Sequence, residues 1–70
     1  MNIVRVALAV PLPRFFDYLY PPNLMQIVGG RVLVPFGSQK RVGIVVDLPA
    51  SSDVAKEKLK PIIDVLDAES

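Results

Sequence analysis

Residues 14–18 read Arg14, Phe15, Phe16, Asp17 and Tyr18, which places a cation, aromatic rings and a carboxylate in one short stretch. Aromatic rings with neighbouring cations are the ingredients of single-strand nucleic-acid sites, where bases stack on the rings and phosphates meet Lys or Arg. On an extended strand Phe15 and Phe16 point to opposite faces, so one of the two belongs to the core. A plainly structural arrangement, with both rings partly core and Asp17 capping a turn, uses the same residues. Asp17 is the unusual member, because a carboxylate repels phosphates. An ionised carboxylate only accepts hydrogen bonds, so its partners are donors such as a base amino group or a sugar hydroxyl. A free 3′ terminus carries a hydroxyl that an internal nucleotide lacks. A carboxylate beside a ring therefore has the chemistry to tell a strand end from a strand interior.

Little else in the chain is chemically suggestive. There is no Cys and no His, which excludes disulfides, zinc fingers and thiol or imidazole catalysis. The phosphate-loop, dinucleotide-binding and nucleophile-elbow motifs are absent. Gly29-Gly30 precedes a strand rather than a helix N-terminus, so it is not a phosphate loop. Asp64 and Asp67 form a carboxylate pair, but in an acidic tail that reads as a solvated face. No catalytic or metal-binding residue is expected.

The elements that would carry these residues are strands. Eleven Val and five Ile dominate the chain, and β-branched side chains suit a pleated surface. Residues 3–10 alternate, with Val4, Val6, Leu8 and Val10 on one face, and end at Pro11-Leu12-Pro13. Residues 15–20 alternate with Phe16, Tyr18 and Tyr20 on one side, and end at Pro21-Pro22. Gly29-Gly30 opens a third strand at 31–35, with Val32 and Val34 on one side. A turn at residues 36–39, where Gly37 is free to take positive φ, joins it to a fourth strand at 40–48 as a hairpin. Residues 49–58 are polar and irregular, or one helical turn. Pro61 excludes a helix running through the last apolar stretch, so Ile62, Ile63, Val65 and Leu66 read as a fifth strand, with a short helix as the alternative. The expected fold is all-β: a small five-stranded antiparallel curved sheet or partly open barrel with little or no helix.

Length and charge add bounds. Seventy residues make one domain, spanning 1–70, and a chain of this size buries only about 60% of its unfolded surface. Yet 51% of it is hydrophobic, with mean hydropathy +0.42, so some surface wants a neighbour. The remaining domains of a longer chain, or a second copy exchanging strands, would supply one. The longest apolar run is eight residues, 6–13 with its prolines counted, far short of the about 20 that cross a membrane. With no secretory leader evident, a cytoplasmic location without membrane partners is the default. The net charge of +1 hides an asymmetry: residues 1–46 carry five basic residues against Asp17 alone, while residues 47–70 carry three Lys against six acids. The first part can face an anion.

Three blocks carry a resemblance: residues 10–18 (VPLPRFFDY), 30–37 (GRVLVPFG) and 41–46 (RVGIVV). In this order and spacing they resemble the N-terminal 3′ DNA-binding domain of the PriA family, the bacterial primosomal replication-restart helicases. The likeness runs from Met1 through Asp67. It implies that the chain is a non-catalytic front piece of an ATP-dependent 3′-to-5′ DNA helicase. The ATP, Mg and zinc sites would lie in other parts of that protein, with no cofactor in this piece. The implied function is recognition of the 3′-terminal nucleotide of the nascent leading strand at stalled forks and D-loops. The implied partners are DNA with a free 3′ end, the remaining helicase domains and other primosome proteins. Carried over by position, the family's pocket falls on Phe16, Asp17, Gly37 and Lys60. Phe16 would pack on the terminal sugar or base, and Asp17 would accept from the 3′-hydroxyl or a base donor. Gly37 would let the strand approach the backbone, and Lys60 would meet the nucleotide's polar edge or phosphate. Arg14, Lys40 and Arg41 are supporting phosphate contacts on charge grounds. Phe16 as a core ring, Gly37 as a turn glycine and Lys60 as a solvated cation are the plain alternatives. A non-catalytic docking or dimerisation module using the apolar strands is the alternative for the whole chain.

Overall fold

The computed structural model describes residues 2–12, 14–21 and 27–67. Pro13 and Pro22, expected to help end the first two strands, lie outside them. The elements in chain order are β1 (Asn2–Leu8), β2 (Phe16–Tyr20), β3 (Arg31–Phe36), β4 (Gln39–Asp47), a 3₁₀ turn (Lys56–Lys58) and β5 (Asp64–Val65). All five strands pair antiparallel in one sheet of order β2-β1-β4-β3-β5. The expected all-β class and strand count hold. The first strand stops at Leu8, two residues short of the expected end, because its pairing with β4 ends at Leu8 opposite Gly43 and Pro11 follows. The polar stretch at 49–58 contributes only the 3₁₀ turn.

Alternation decides which face is inside. Val4 and Val6 of β1, Tyr18 and Tyr20 of β2, Val32 and Val34 of β3 and Val45 of β4 are buried together with Ile27. Leu8, Phe16, Ile62 and Val65 pack against them. These are the inward faces that the alternating pattern specifies. The Tyr18 hydroxyl, carried into this apolar cluster, donates to the Pro35 carbonyl at 2.9 Å. That satisfies the one polar atom the ring brings inside, and burial raises the phenol's pKa.

The sheet curls until its two sides meet. Leu19 of β2 donates to the Lys60 carbonyl, and its own carbonyl accepts from Ile62, each at 2.9 Å. Ile63 in turn donates to the Leu33 carbonyl of β3. Residues 60–63 thus lie between β2 and β3 and turn the sheet into a half-barrel. Pro61, which lacks an N–H, is the residue bridged to Leu19 in parallel fashion. A parallel bridge draws only on its flanking residues, here the Lys60 carbonyl and the Ile62 N–H, so the proline removes nothing from it.

The centre of β4 has no room for a side chain. At Gly43 of β4 an added Cβ would run into the Val6 and Leu8 side chains and stand 3.0 Å from the Ala7 carbonyl oxygen. Gly43→Ala should therefore destabilise the fold by about 1–3 kcal/mol through overpacking, read as a lower urea midpoint. At Gly37 a Cβ meets nothing within 4 Å, but φ is +61°, so only backbone strain is at stake there.

Candidate functional site: a cleft at the mouth of the half-barrel

A cleft of about 630 Å³ opens where β2 begins. Its first wall is Arg14 through Tyr18, its second is Pro35–Gly37 at the end of the β3–β4 hairpin, and its third is Asp53, Val54, Lys58 and Lys60. Each wall has a local cause. The hairpin turns in two residues, Gly37 and Ser38, between Phe36 paired with Gln39. Such turns need positive φ at the first central residue, and Gly37 supplies it with φ +61°. The third wall is set by the bond from Leu19 to the Lys60 carbonyl, which fixes the chain around Lys60 against β2.

The aromatic residues divide their work. Phe16 is half-buried, packed on the core and edge-on to Phe36, with ring centroids 5.2 Å apart at 83°. The Arg14 guanidinium lies over the Phe16 ring at 4.6 Å from its centroid, a cation–π contact. Phe16 therefore packs and lines the cleft at once. Phe15, on the same wall, is 57% exposed.

Asp17 is the best-supported polar group. It faces Arg5 across the β1–β2 pair and takes a two-pronged ion pair, Arg5 Nε to Oδ1 at 2.8 Å and Nη2 to Oδ2 at 3.1 Å. The Ser52 hydroxyl donates to Oδ2 at 2.5 Å, and the Val54 N–H donates to that hydroxyl's oxygen at 3.1 Å. The Arg5 bonds, ahead of opposing burial and helped by Ser52, hold the Asp17 pKa below the ordinary carboxylate range. Asp17 is ionised at neutral pH, and its side chain keeps only 9% of its surface exposed.

Of the residues singled out from sequence, Phe16, Asp17, Gly37, Lys60 and Arg14 all line this cleft. Lys40 and Arg41 do not; they lie exposed on β4, opposite Pro35 and Val34. Arg5, Phe36, Val54 and Lys58 line the cleft and Ser52 supports it, none of them expected. Arg5 had a faint signal, since alternation puts Arg5 and Asp17 on outward faces of adjoining strands. Ser52 and Lys58 had none, because they sit in the irregular segment. Among the described residues no group of three metal-ligating side chains assembles, and no helix is long and apolar enough to cross a membrane.

A curled antiparallel sheet with a mixed aromatic and basic cleft at its mouth defines a small β-type binding module. The family model for the 3′ DNA-binding domain of PriA matches residues 5–70. The replication restart protein PriA of Haemophilus influenzae is 63% identical over 67 residues, covering 96% of this chain and 9% of that protein. Its namesake from Buchnera aphidicola of Acyrthosiphon pisum is 40% identical over 70 residues, covering the whole chain and 10% of the relative. That of Bacillus subtilis is 36% identical over 72 residues, covering 96% and 9%. The chain belongs to the PriA 3′ DNA-binding domain family, and it spans about a tenth of the length of these relatives.

The Asp17 contacts carry a pH signature. Because the native pKa is lowered, their stabilisation is complete above the unfolded carboxylate value of about 3.9 and is lost as pH falls through the native one. Asp17→Asn should be less stable than the parent at pH 7, with the gap in urea midpoints closing below about pH 4.

Proposed function

We propose that the cleft receives the 3′-terminal nucleotide of a DNA strand and reads its free 3′-hydroxyl. The observation that carries this is the ionised Asp17 carboxylate held among the rings and cations of the cleft, whose other carboxylate is Asp53 on the third wall. Beyond Arg5 and Ser52, which already donate to it, such a group can take only a further donor, and a strand end offers one. Phe16 flanks the sugar or base. The backbone at Gly37, with no side chain in the way, lets the strand come close. Lys60, Lys58 and Arg14 answer the phosphate. A site for a strand end needs few contacts, which suits a cleft of about 630 Å³ better than a long basic track would.

In the longer protein the biological substrate is the nascent leading-strand 3′ end at stalled forks and D-loops. There the module serves a replication-restart helicase in the cytoplasm, alongside other primosome proteins. Strand separation by ATP hydrolysis, with its Mg and zinc sites, belongs to the remaining domains. A single-stranded oligonucleotide with a 3′-OH should bind more tightly than the same strand ending in 3′-phosphate, measured by fluorescence anisotropy. Equal affinities would refute the reading. Phe16→Ala should weaken 3′-OH binding by about 1–3 kcal/mol, and Asp17→Asn should remove the preference between ends.

A second reading concerns the opposite face. Val42, Ile44 and Val46 stand in an exposed row on β4, at 47%, 41% and 37% exposure, flanked by Ala7 opposite Ile44 and Leu33 opposite Val42. A central strand apolar on both faces is the pattern of one covered on both sides. This face docks the remaining domains of the longer protein. The chain alone should then scatter light as a monomer across a concentration series and bind an apolar dye that Ile44→Lys releases. Concentration-dependent dimerisation abolished by Ile44→Lys would assign the face to a second copy instead.

A further inference from the structure

Asp17 presents a specific count of acceptor positions. An ionised carboxylate has about four. Oδ2 is occupied twice, by Arg5 Nη2 and by Ser52 Oγ, while Oδ1 receives Arg5 Nε alone. One position on Oδ1 is left for a donor from outside. The Arg5 fork is planar, and two parallel bonds from it fix the plane of the carboxylate. The Ser52 hydroxyl, itself held by the Val54 N–H, locks the carboxylate's other edge. The same ion pair cancels a negative charge that would stand beside any incoming phosphate.

We propose that Arg5 is a positioning residue for strand-end recognition: it aims the one remaining acceptor position of Asp17 and neutralises the carboxylate so that a phosphodiester can come alongside. Ser52 is its assistant from the facing loop. This rests on the reading of the cleft as a 3′-end site and adds to it a residue that acts through Asp17. Arg5 does two separable things, one geometric and one electrostatic, and substitutions can part them.

The groups around the pair are known. Asp47 and Asp53 act on Arg5 through space, Ser52 and Arg5 bond Asp17, and Arg14, Lys58 and Lys60 line the cleft. These cations, Asp47 and Asp53 are common to every variant, so a loss that appears when Arg5 is changed and is reversed by changing Asp17 reports on the pair.

The test measures anisotropy binding of paired oligonucleotides, 3′-OH and 3′-phosphate, to the parent and to variants confirmed folded by circular dichroism. Arg5→Lys keeps the charge but loses the fork. It should lose roughly tenfold of the 3′-OH preference while keeping more overall affinity than Arg5→Gln. Arg5→Gln leaves Asp17 uncompensated, so both oligonucleotides should bind more weakly at pH 7. Adding Asp17→Asn to Arg5→Gln should restore affinity for both ends without restoring the preference. A purely structural arginine would give no such recovery. If Asp17→Asn abolishes the preference while Arg5→Gln and Arg5→Lys retain it within about twofold of the parent, the inference fails and the 3′-end reading stands. If the parent shows no preference, both fail together. If Arg5→Gln does not fold, Arg5→Lys decides by the same criterion.

Discussion

The backbone of Leu19 is the constraint on which the remaining geometry depends. Its N–H and its carbonyl are both committed to the segment around Pro61, and that segment is bonded on its other side to Leu33. Without this double attachment β2 would be a free edge, and the sheet would lie open with one apolar face toward water. With it, five short strands wrap their inward Val and Tyr side chains into one cluster and need no second layer. Two hydrogen bonds contribute only about 1 kcal/mol each. Their larger effect is alignment. They fix Lys60 beside Leu19, from where it lines the cleft, and put the irregular segment within reach of Asp17.

From that alignment comes the electrostatic character of the cleft. Arg5 and Asp17 cancel, and the lining that remains is Arg14, Lys58 and Lys60 against Asp53. The bias is positive but small, and Arg14 is already engaged with the Phe16 ring. A site of this kind is poor at holding any length of backbone by charge and depends on shape and a few directed bonds. The half-buried Phe16–Phe36 pair gives it rigid apolar walls, because both rings are part of the packing that keeps the sheet curled.

How much of this was legible in the sequence follows from the range of the interactions. Alternation is local, so β1 to β4, their inward faces and the Gly37 turn could be read directly. Phe16 and Asp17 stood out by residue type, Lys60 and the pocket role of Gly37 came from resemblance, and the structure brings the four into one cleft. What the sequence hid was everything decided by contacts between distant residues. The Arg5–Asp17 pairing needs the β1–β2 register, and Ser52 reaches Asp17 from 35 positions away. Ile27 is buried in the core although it lies in no strand; the Gly29 and Gly30 backbones bond to Val45 and Ile27 there, a tertiary turn with no periodic signal. Lys40 and Arg41 looked suitable by charge alone, and β4 carries them away from the cleft because charge says nothing about face.

Arg31 and Asp67 close the described chain with an exposed two-pronged pair, reinforced by the Arg31 N–H to the same carboxylate. Gly30 has no Cβ to block the Asp67 backbone, whose carbonyl comes within 2.8 Å of where one would be. Asp67 is thereby fixed to the start of β3. A pull at that point loads the first residue of β3, while the Gly37 turn that walls the cleft lies at the other end of the strand, about 17 Å along it. The fastening thus acts as a strain relief: a force applied there would be taken up at the base of β3 before it reached the walls of the cleft.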